Sequence, residues 1–377
     1  MKINKKIGQK IRYYAIMSVI LYACIEGICA IFIHTNYIPT AKPSFSTQLF
    51  SDVIVADVSP YWGRWHPFKT VEYHSECFDV KETCNSYGAR DIERKQQADS
   101  NRIVLLGDSF IEGYGLKNED RLSNLLENKL QKEVLNFGCT GIGHIQYSLI
   151  YKYLADSFSH NTVMLGFLPA NDFLDGDKSI QEKLFMDYRP YWKTEYPACE
   201  LMYWTDKIEN SPYYYKKIYG FRRVVLKSLR NFTYWYNVLY FLVYTQPMMH
   251  IVNYGDLKSQ KEYSGFYDYT DLQLSQLKCS LASLKNTAKG KKIILFTLPK
   301  YSDLLRYKKE NQMSKLGKEL GSFCEENQLV LIDLLPFLAQ KTDAEAQALY
   351  HTCDDHFSRA GNVWAMGILL KIVDEGK

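Results

Sequence analysis

Hydrophobic and polar positions divide this chain into stretches with different physics. From 13 to 33 the residues are apolar except for a few polar ones and the charged Glu26, and about 20 such residues match the hydrocarbon thickness of a bilayer. From 34 to 100 short apolar pieces lie among Pro39, Pro43, Pro60, Trp62, Trp65 and Pro67, with no helical period. That pattern predicts irregular or short-stranded chain packed beside a larger body.

A regular alternation begins at 102. Apolar runs at 102–106, 134–137, 163–167, 292–298 and 329–332 read as buried strands. Apolar residues at 122, 125, 126 and 130 predict a helix over 122–132, and 145–156 is helical too. Leu274, Leu277 and Leu281 predict a helix over 271–288, and a last helix closes the chain over 361–373. Strands separated by helices predict an α/β fold, a three-layer αβα arrangement around a parallel, flavodoxin-like five-stranded sheet with right-handed crossovers.

Between about 180 and 270 the alternation stops and aromatic residues gather: Tyr188, Tyr191, Trp192, Tyr203, Trp204, Tyr213, Tyr214 and Tyr215. The gap is too long for an ordinary loop and predicts an inserted, mostly helical, aromatic-rich cap near the carboxyl end of the sheet. The division expected is therefore a basic tail at 1–12, a membrane-spanning helix at 13–33, a connector at 34–100 and an α/β domain at 101–377 carrying that insertion.

Charge sharpens the reading of the first segment. Lys2, Lys5, Lys6, Lys10 and Arg12 precede the apolar run, so the positive-inside rule keeps the tail in the cytoplasm and places the rest outside it. Glu26 is costly in lipid and implies either a helix partner or cleavage. No Ala-x-Ala site closes the run, and Leu21-Tyr22-Ala23-Cys24 fits a lipoprotein box poorly, so an uncleaved signal anchor is the reading. The expected location is a bacterial inner membrane, with the large domain facing the periplasm or the cell exterior.

Beyond the anchor, 41 Lys and Arg balance 41 Asp and Glu, which leaves a nucleic-acid partner unsupported. The 30 tyrosines suit a packed interface or a sugar-binding groove, although core packing accounts for most of them. Of nine cysteines, Cys77 and Cys84 flank a six-residue gap that a disulfide could close in an oxidising compartment; free thiols fit equally. No Cys-x-x-Cys or His-x-x-x-His pair suggests zinc, and no cofactor is expected.

The chemistry gathers at strand ends. Ile103-Val104-Leu105-Leu106 runs into Gly107-Asp108-Ser109, which puts a serine where ligands sit in open α/β sheets. A serine hydroxyl needs an imidazole to take its proton and a carboxylate to orient that imidazole. Cys353-Asp354-Asp355-His356 could supply both. Between them lie Asn136-Phe137-Gly138-Cys139-Thr140-Gly141 and Pro169-Ala170-Asn171-Asp172.

These four pieces, in this order, resemble the SGNH (GDSL-type) hydrolase superfamily. The resemblance implies Ser109 as nucleophile, His356 as base, and an oxyanion hole made by the Ser109 N–H, the Gly141 N–H and the Asn171 side chain. Each such donor stabilises a developing oxyanion by about 3 kcal/mol. Two positions depart from the family pattern. Pro169 stands where a Gly is usual, and Cys353 stands where the orienting Asp is commoner, so Asp354 takes that role, with Asp355 as the alternative. Asn85-Ser86-Tyr87-Gly88-Ala89-Arg90-Asp91 resembles a run preceding the first strand in anchored members, and Arg90 is expected to pair with a carboxylate.

The run 231–255 has no charged residue and 232–243 is strongly apolar, so a second membrane crossing arises as an alternative. It would put Ser109 and His356 on opposite sides of the membrane, and a buried or interfacial helix is expected instead. The function expected is a serine-dependent ester hydrolase or acyl-transfer enzyme acting on O-acyl groups of an acylated cell-envelope glycan or lipid. Acyl transfer would call for a membrane-bound partner that supplies the acyl donor. The alternative is a catalytically inactive protein of the same fold that binds carbohydrate or serves as a scaffold.

Overall fold

The computed structural model describes residues 5–35, 67–74, 77–98, 101–183, 189–203, 221–245 and 264–374, with scattered residues between 37 and 65. Of the positions singled out in the sequence, Lys2, Pro39, Pro60, Trp62, Tyr188, Trp204, Tyr213, Tyr214, Tyr215 and 246–255 lie outside the described residues. The chain forms two compact units. One comprises 1–49 with 213–256, the other 50–212 with 257–377.

The first unit opens with α1 (Lys5–His34), which is long and apolar enough to cross a membrane. In the second unit, β1 (Ile54–Val55) pairs with β2 (Arg64–Trp65), and β3 (Thr70–His74) with β4 (Asp79–Thr83) in an antiparallel hairpin. The core follows: β5 (Ile103–Leu106), α2 (Ser109–Glu112), α3 (Leu122–Leu130), β6 (Val134–Asn136), α4 (His144–Tyr153), β7 (Thr162–Phe167), α5 (Pro169–Gly176) and α6 (Lys178–Lys183). A short antiparallel ribbon, β8 (Pro190–Trp192) with β9 (Leu201–Tyr203), comes next.

The chain then returns to the first unit for α7 (Phe221–Phe232), α8 (Tyr234–Tyr240) and a π-helical turn at Phe241–Thr245. Back in the second unit are α9 (Asp271–Thr287), β10 (Lys292–Thr297), α10 (Tyr301–Glu310), α11 (Lys315–Asn327), β11 (Val330–Ile332), α12 (Leu335–Leu338), α13 (Asp343–Gln347) and α14 (Arg359–Asp374).

Five parallel strands form the central sheet in the order β11-β10-β7-β5-β6. Leu105 lies between Asn136 and Met164, and Leu106 beside Leu165. Every residue of β5 is buried, because parallel strands are covered on both faces. Ile103 and Leu105 pack with Leu122 and Leu126 of α3 and with Ala365 and Leu369 of α14. Val104 and Leu106 alternate to the other side and are equally buried, and α4 pairs with α9. From β5 the chain steps out to β6 and returns across β5 to β7. That reversal falls at the carboxyl ends of β5 and β7, the place where open α/β sheets hold ligands.

Cys77 and Cys84, for which the sequence leaves a bond and free thiols equally open, are not bonded to each other. Cys77, in the β3–β4 turn, bonds Cys353, and Cys199 bonds Cys279, while Cys84 is a buried free thiol. Cys84 sits just past the end of β4, aligned with the hairpin, whereas Cys77 at its tip reaches a loop 276 positions away.

Candidate active site

Ser109 opens α2 directly after β5. The Asp108 side chain caps this short helix, accepting a hydrogen bond from the Phe110 N–H at 2.9 Å. Gly113 ends it in the left-handed conformation at φ 84°. The Nε2 of His356 lies 2.7 Å from the Ser109 Oγ. On the other side of the ring, His356 Nδ1 hydrogen-bonds Asp354 Oδ1, which also accepts the His356 backbone N–H at 2.8 Å. A carboxylate in that place fixes the tautomer that leaves Nε2 free to face the serine.

Asp355 turns away and pairs with Lys300 at 3.4 Å, so Asp354 is the residue that meets the imidazole. Burial of Asp354 opposes its ionisation, but the hydrogen bond and charge of His356 outweigh it and hold the carboxyl below its usual range. The imidazole lies between the rings of Phe110 and Tyr114, with centroids 4.9 and 4.8 Å away. Its loop is closed by the bridge between Tyr350 and Phe357 and tied by Cys353 to the β3–β4 hairpin.

The loop after β6 runs between α2 and α5. Asn136 anchors its start: Oδ1 accepts the Gly138 N–H at 2.8 Å, while Nδ2 donates to the Ile111 carbonyl at 2.8 Å and to Ser123 Oγ at 3.0 Å. Gly138 presses on α2 so closely that a Cβ there would come within 2.3 Å of the Glu112 nitrogen. Gly141 has φ 76°, a conformation that L side chains rarely adopt. Among the described residues, the Ser109 and Gly141 N–H groups and the Asn171 side chain donate no hydrogen bond. On the α5 side, Asp172 accepts from the Leu168 N–H at 2.9 Å and from the Tyr147 hydroxyl at 2.7 Å, fixing the turn that carries Asn171. Pro169 is the first residue of α5, where a missing N–H costs no helical hydrogen bond.

Three features of this site lie outside the sequence reading. Glu112, fully buried in α2, accepts the Thr140 N–H, which couples the helix of Ser109 to the loop of Gly141. Beside it, burial and the facing Glu112 carboxyl push Glu82 up to about 9. Arg90 pairs with Glu82 at 2.8 Å and donates to the carbonyls of Gly113 and Leu116, so it braces the chain just after α2. The second feature is Arg189, which donates to the Gly141 carbonyl at 2.8 Å and to Asp175 at 2.6 Å. The third is the tether from Cys353. Glu112 follows Ser109 by three places and Cys353 touches Asp354 in sequence; nothing in the sequence marks Arg189.

No family model matches the chain, and no curated protein matches it. Solved structures align with it at low similarity. A member of the lipolytic protein G-D-S-L family from Veillonella parvula shares 12% identity over 72% of this chain and 97% of its own, at a TM-score of 0.35. A GDSL-like lipase from Bacteroides thetaiotaomicron shares 10% over 75% and 93%, at 0.37. A lipase/acylhydrolase from Enterococcus faecalis shares 13% over 72% and 95%, at 0.34.

Proposed function

We propose that this chain is a membrane-anchored serine ester hydrolase of the SGNH type, acting outside the cytoplasm on O-acyl groups of a cell-envelope glycan or lipid. The observation that carries the reading is the Ser109–His356–Asp354 relay. His356 takes the proton of Ser109 as Oγ attacks the ester carbonyl, and Asp354 stabilises the imidazolium. The tetrahedral oxyanion is received by the N–H groups of Ser109 and Gly141 and by the Asn171 amide. His356 then protonates the leaving alcohol, and the acyl-serine is released by an acceptor activated in the same way.

The geometry of Asp354 favours this reading over an inactive binding protein, since the Cys353 departure is offset by an aspartate one position later. The disulfides support placement outside the cytoplasm, where such bonds persist. So do the basic residues that precede the apolar run of α1. Turnover of an aryl acetate, measured with and without an added sugar acceptor, tests the reaction. Hydrolysis that ceases in Ser109→Ala is the expected result. Faster donor loss with stoichiometric acylated sugar would assign transfer in place of hydrolysis, and no turnover by the folded protein would overturn the proposal.

A further inference from the structure

Inside the first unit, Glu26 of α1 does not stand alone in its apolar helix. Its Oε2 accepts the Tyr234 N–H at 2.7 Å and its Oε1 accepts the Tyr22 hydroxyl at 2.8 Å. Tyr234 is the first residue of α8, so the carboxylate occupies the positive end of a helix and satisfies one of its unpaired N–H groups. The Tyr234 hydroxyl lies 3.3 Å from His34 Nε2, and Thr40 Oγ1 donates to the Asn237 carbonyl at 3.5 Å. α8 is thus fixed along the last turns of the candidate membrane span. The seven residues of α8 and five of the π-helical turn rise at most about 18 Å, well short of a bilayer core.

The partner of α8 in the chain is α7, Phe-Arg-Arg-Val-Val-Leu-Lys-Ser-Leu-Arg-Asn-Phe, with four basic residues and no acidic one. At 100° per residue, Phe221, Val225, Leu229 and Phe232 share one side, and Lys227 and Arg230 lie on the opposite side. Phe221 is 83% exposed, and Val225, Phe232, Leu239, Leu242 and Val243 are exposed as well. α8 packs against α1, whose own apolar stretch is almost wholly exposed.

We infer that α7 and α8 form a membrane-interface hairpin. It lays Phe221, Val225, Phe232, Leu242 and Val243 into the acyl region and offers Arg222, Lys227 and Arg230 to anionic phospholipid headgroups. Basic composition selects the occupant: an anionic lipid surface attracts each cation, and the apolar face has lipid already present around α1. The Glu26 contact is then a register lock that holds the hairpin at one depth on the span. This inference rests on α1 spanning the membrane, and the test separates the two.

The full chain is reconstituted in nanodiscs of phosphatidylcholine, alone or mixed with phosphatidylglycerol, with an environment-sensitive fluorophore on a single accessible cysteine. Native Cys24, exposed on α1, reports the span in a Cys29→Ser protein. Val225→Cys and, separately, Leu242→Cys report the hairpin after Cys24 and Cys29 are replaced by Ser. Blue-shifted emission at 225 and 242, quenched by nitroxide lipids, is expected. In the mixed discs, Arg222→Gln with Lys227→Gln should lower the quenched fraction at 225, by a partition change of roughly fivefold per cation removed. Water-like, unquenched emission at both hairpin sites with a quenched Cys24 label overturns the inference and leaves the anchor standing. An unquenched Cys24 label overturns both. Quenching at 225 that ignores lipid charge and the two substitutions removes the headgroup role.

Discussion

Cys353 is bonded to Cys77, and the next residue in the chain, Asp354, is the one that accepts the His356 ring N–H. The disulfide therefore ties the loop of His356 to the β3–β4 hairpin. Replacing both cysteines by Ser should lower stability by about 2–5 kcal/mol. It should also lower kcat at temperatures where the protein stays folded, by roughly tenfold or more, because a displaced imidazole loses its alignment with Ser109. Thermal melts and steady-state kinetics on the same preparation check this. Unchanged kcat in the folded variant would make the bond a stabiliser alone.

Asp354→Asn keeps the shape of the side chain and removes the charge. The His356 ring is then free to adopt the tautomer that carries its proton on Nε2, and the imidazolium loses its partner. Turnover should fall by roughly three to four orders of magnitude with little change in KM. Asp355→Asn, which breaks only the pair with Lys300, should leave kcat close to that of the parent.

Glu112 offers a different test, because it holds the loop of Gly141, to which the proposal gives the oxyanion. Glu112→Gln retains an acceptor for the Thr140 N–H and should keep most activity. Glu112→Ala leaves that N–H without its partner and lets the Gly141 loop shift, for an expected loss of about 10²-fold in kcat. Equal activity in the two variants would contradict the positioning role.

Stability should depend on pH through His144. The ring is fully buried, with Nδ1 2.8 Å from Ser280 Oγ, and burial holds its pKa down to about 3 from an ordinary 6.5. Below 6.5 the unfolded chain binds a proton that the folded chain refuses. The contribution of the neutral ring is therefore whole above 6.5 and is lost as pH falls toward 3. Asp108 and Asp303, pushed up to about 6 by burial, act in the opposite sense, so the comparison must be between proteins that share them. The melting temperature of His144→Gln should fall less than that of the parent between about pH 6.5 and pH 4. Parallel profiles would contradict the assignment.

Much of the fold could be read from the sequence because local periodicity and burial agree. β5, β6, β7, β10 and β11 are short, largely apolar runs, and each lies within two residues of its expected position. α10 went unread because it buries little beyond Asp303 and Leu304, which leaves no apolar stripe to see. Ser109 and His356 could be singled out because each sits in a loop beyond an apolar run, and the structure brings the two side chains together. Spacing to His356 favours Asp354 over Asp355; it is Asp354 that meets the imidazole, while Asp355 pairs with Lys300, a residue 55 positions away. Arg189 and the Cys77–Cys353 bond are long-range pairings with no local periodicity. The grouping of α7 and α8 with α1 was equally hidden, as Glu26 finds its partner 208 positions later.

A fluorophosphonate reports directly on whether Ser109 is an activated nucleophile. The account predicts stoichiometric labelling at Ser109 in the full chain, none in Ser109→Ala and much slower labelling in His356→Ala, with melting temperatures near that of the parent in both variants. A folded parent protein that fails to react, or one whose label persists in Ser109→Ala, would contradict it.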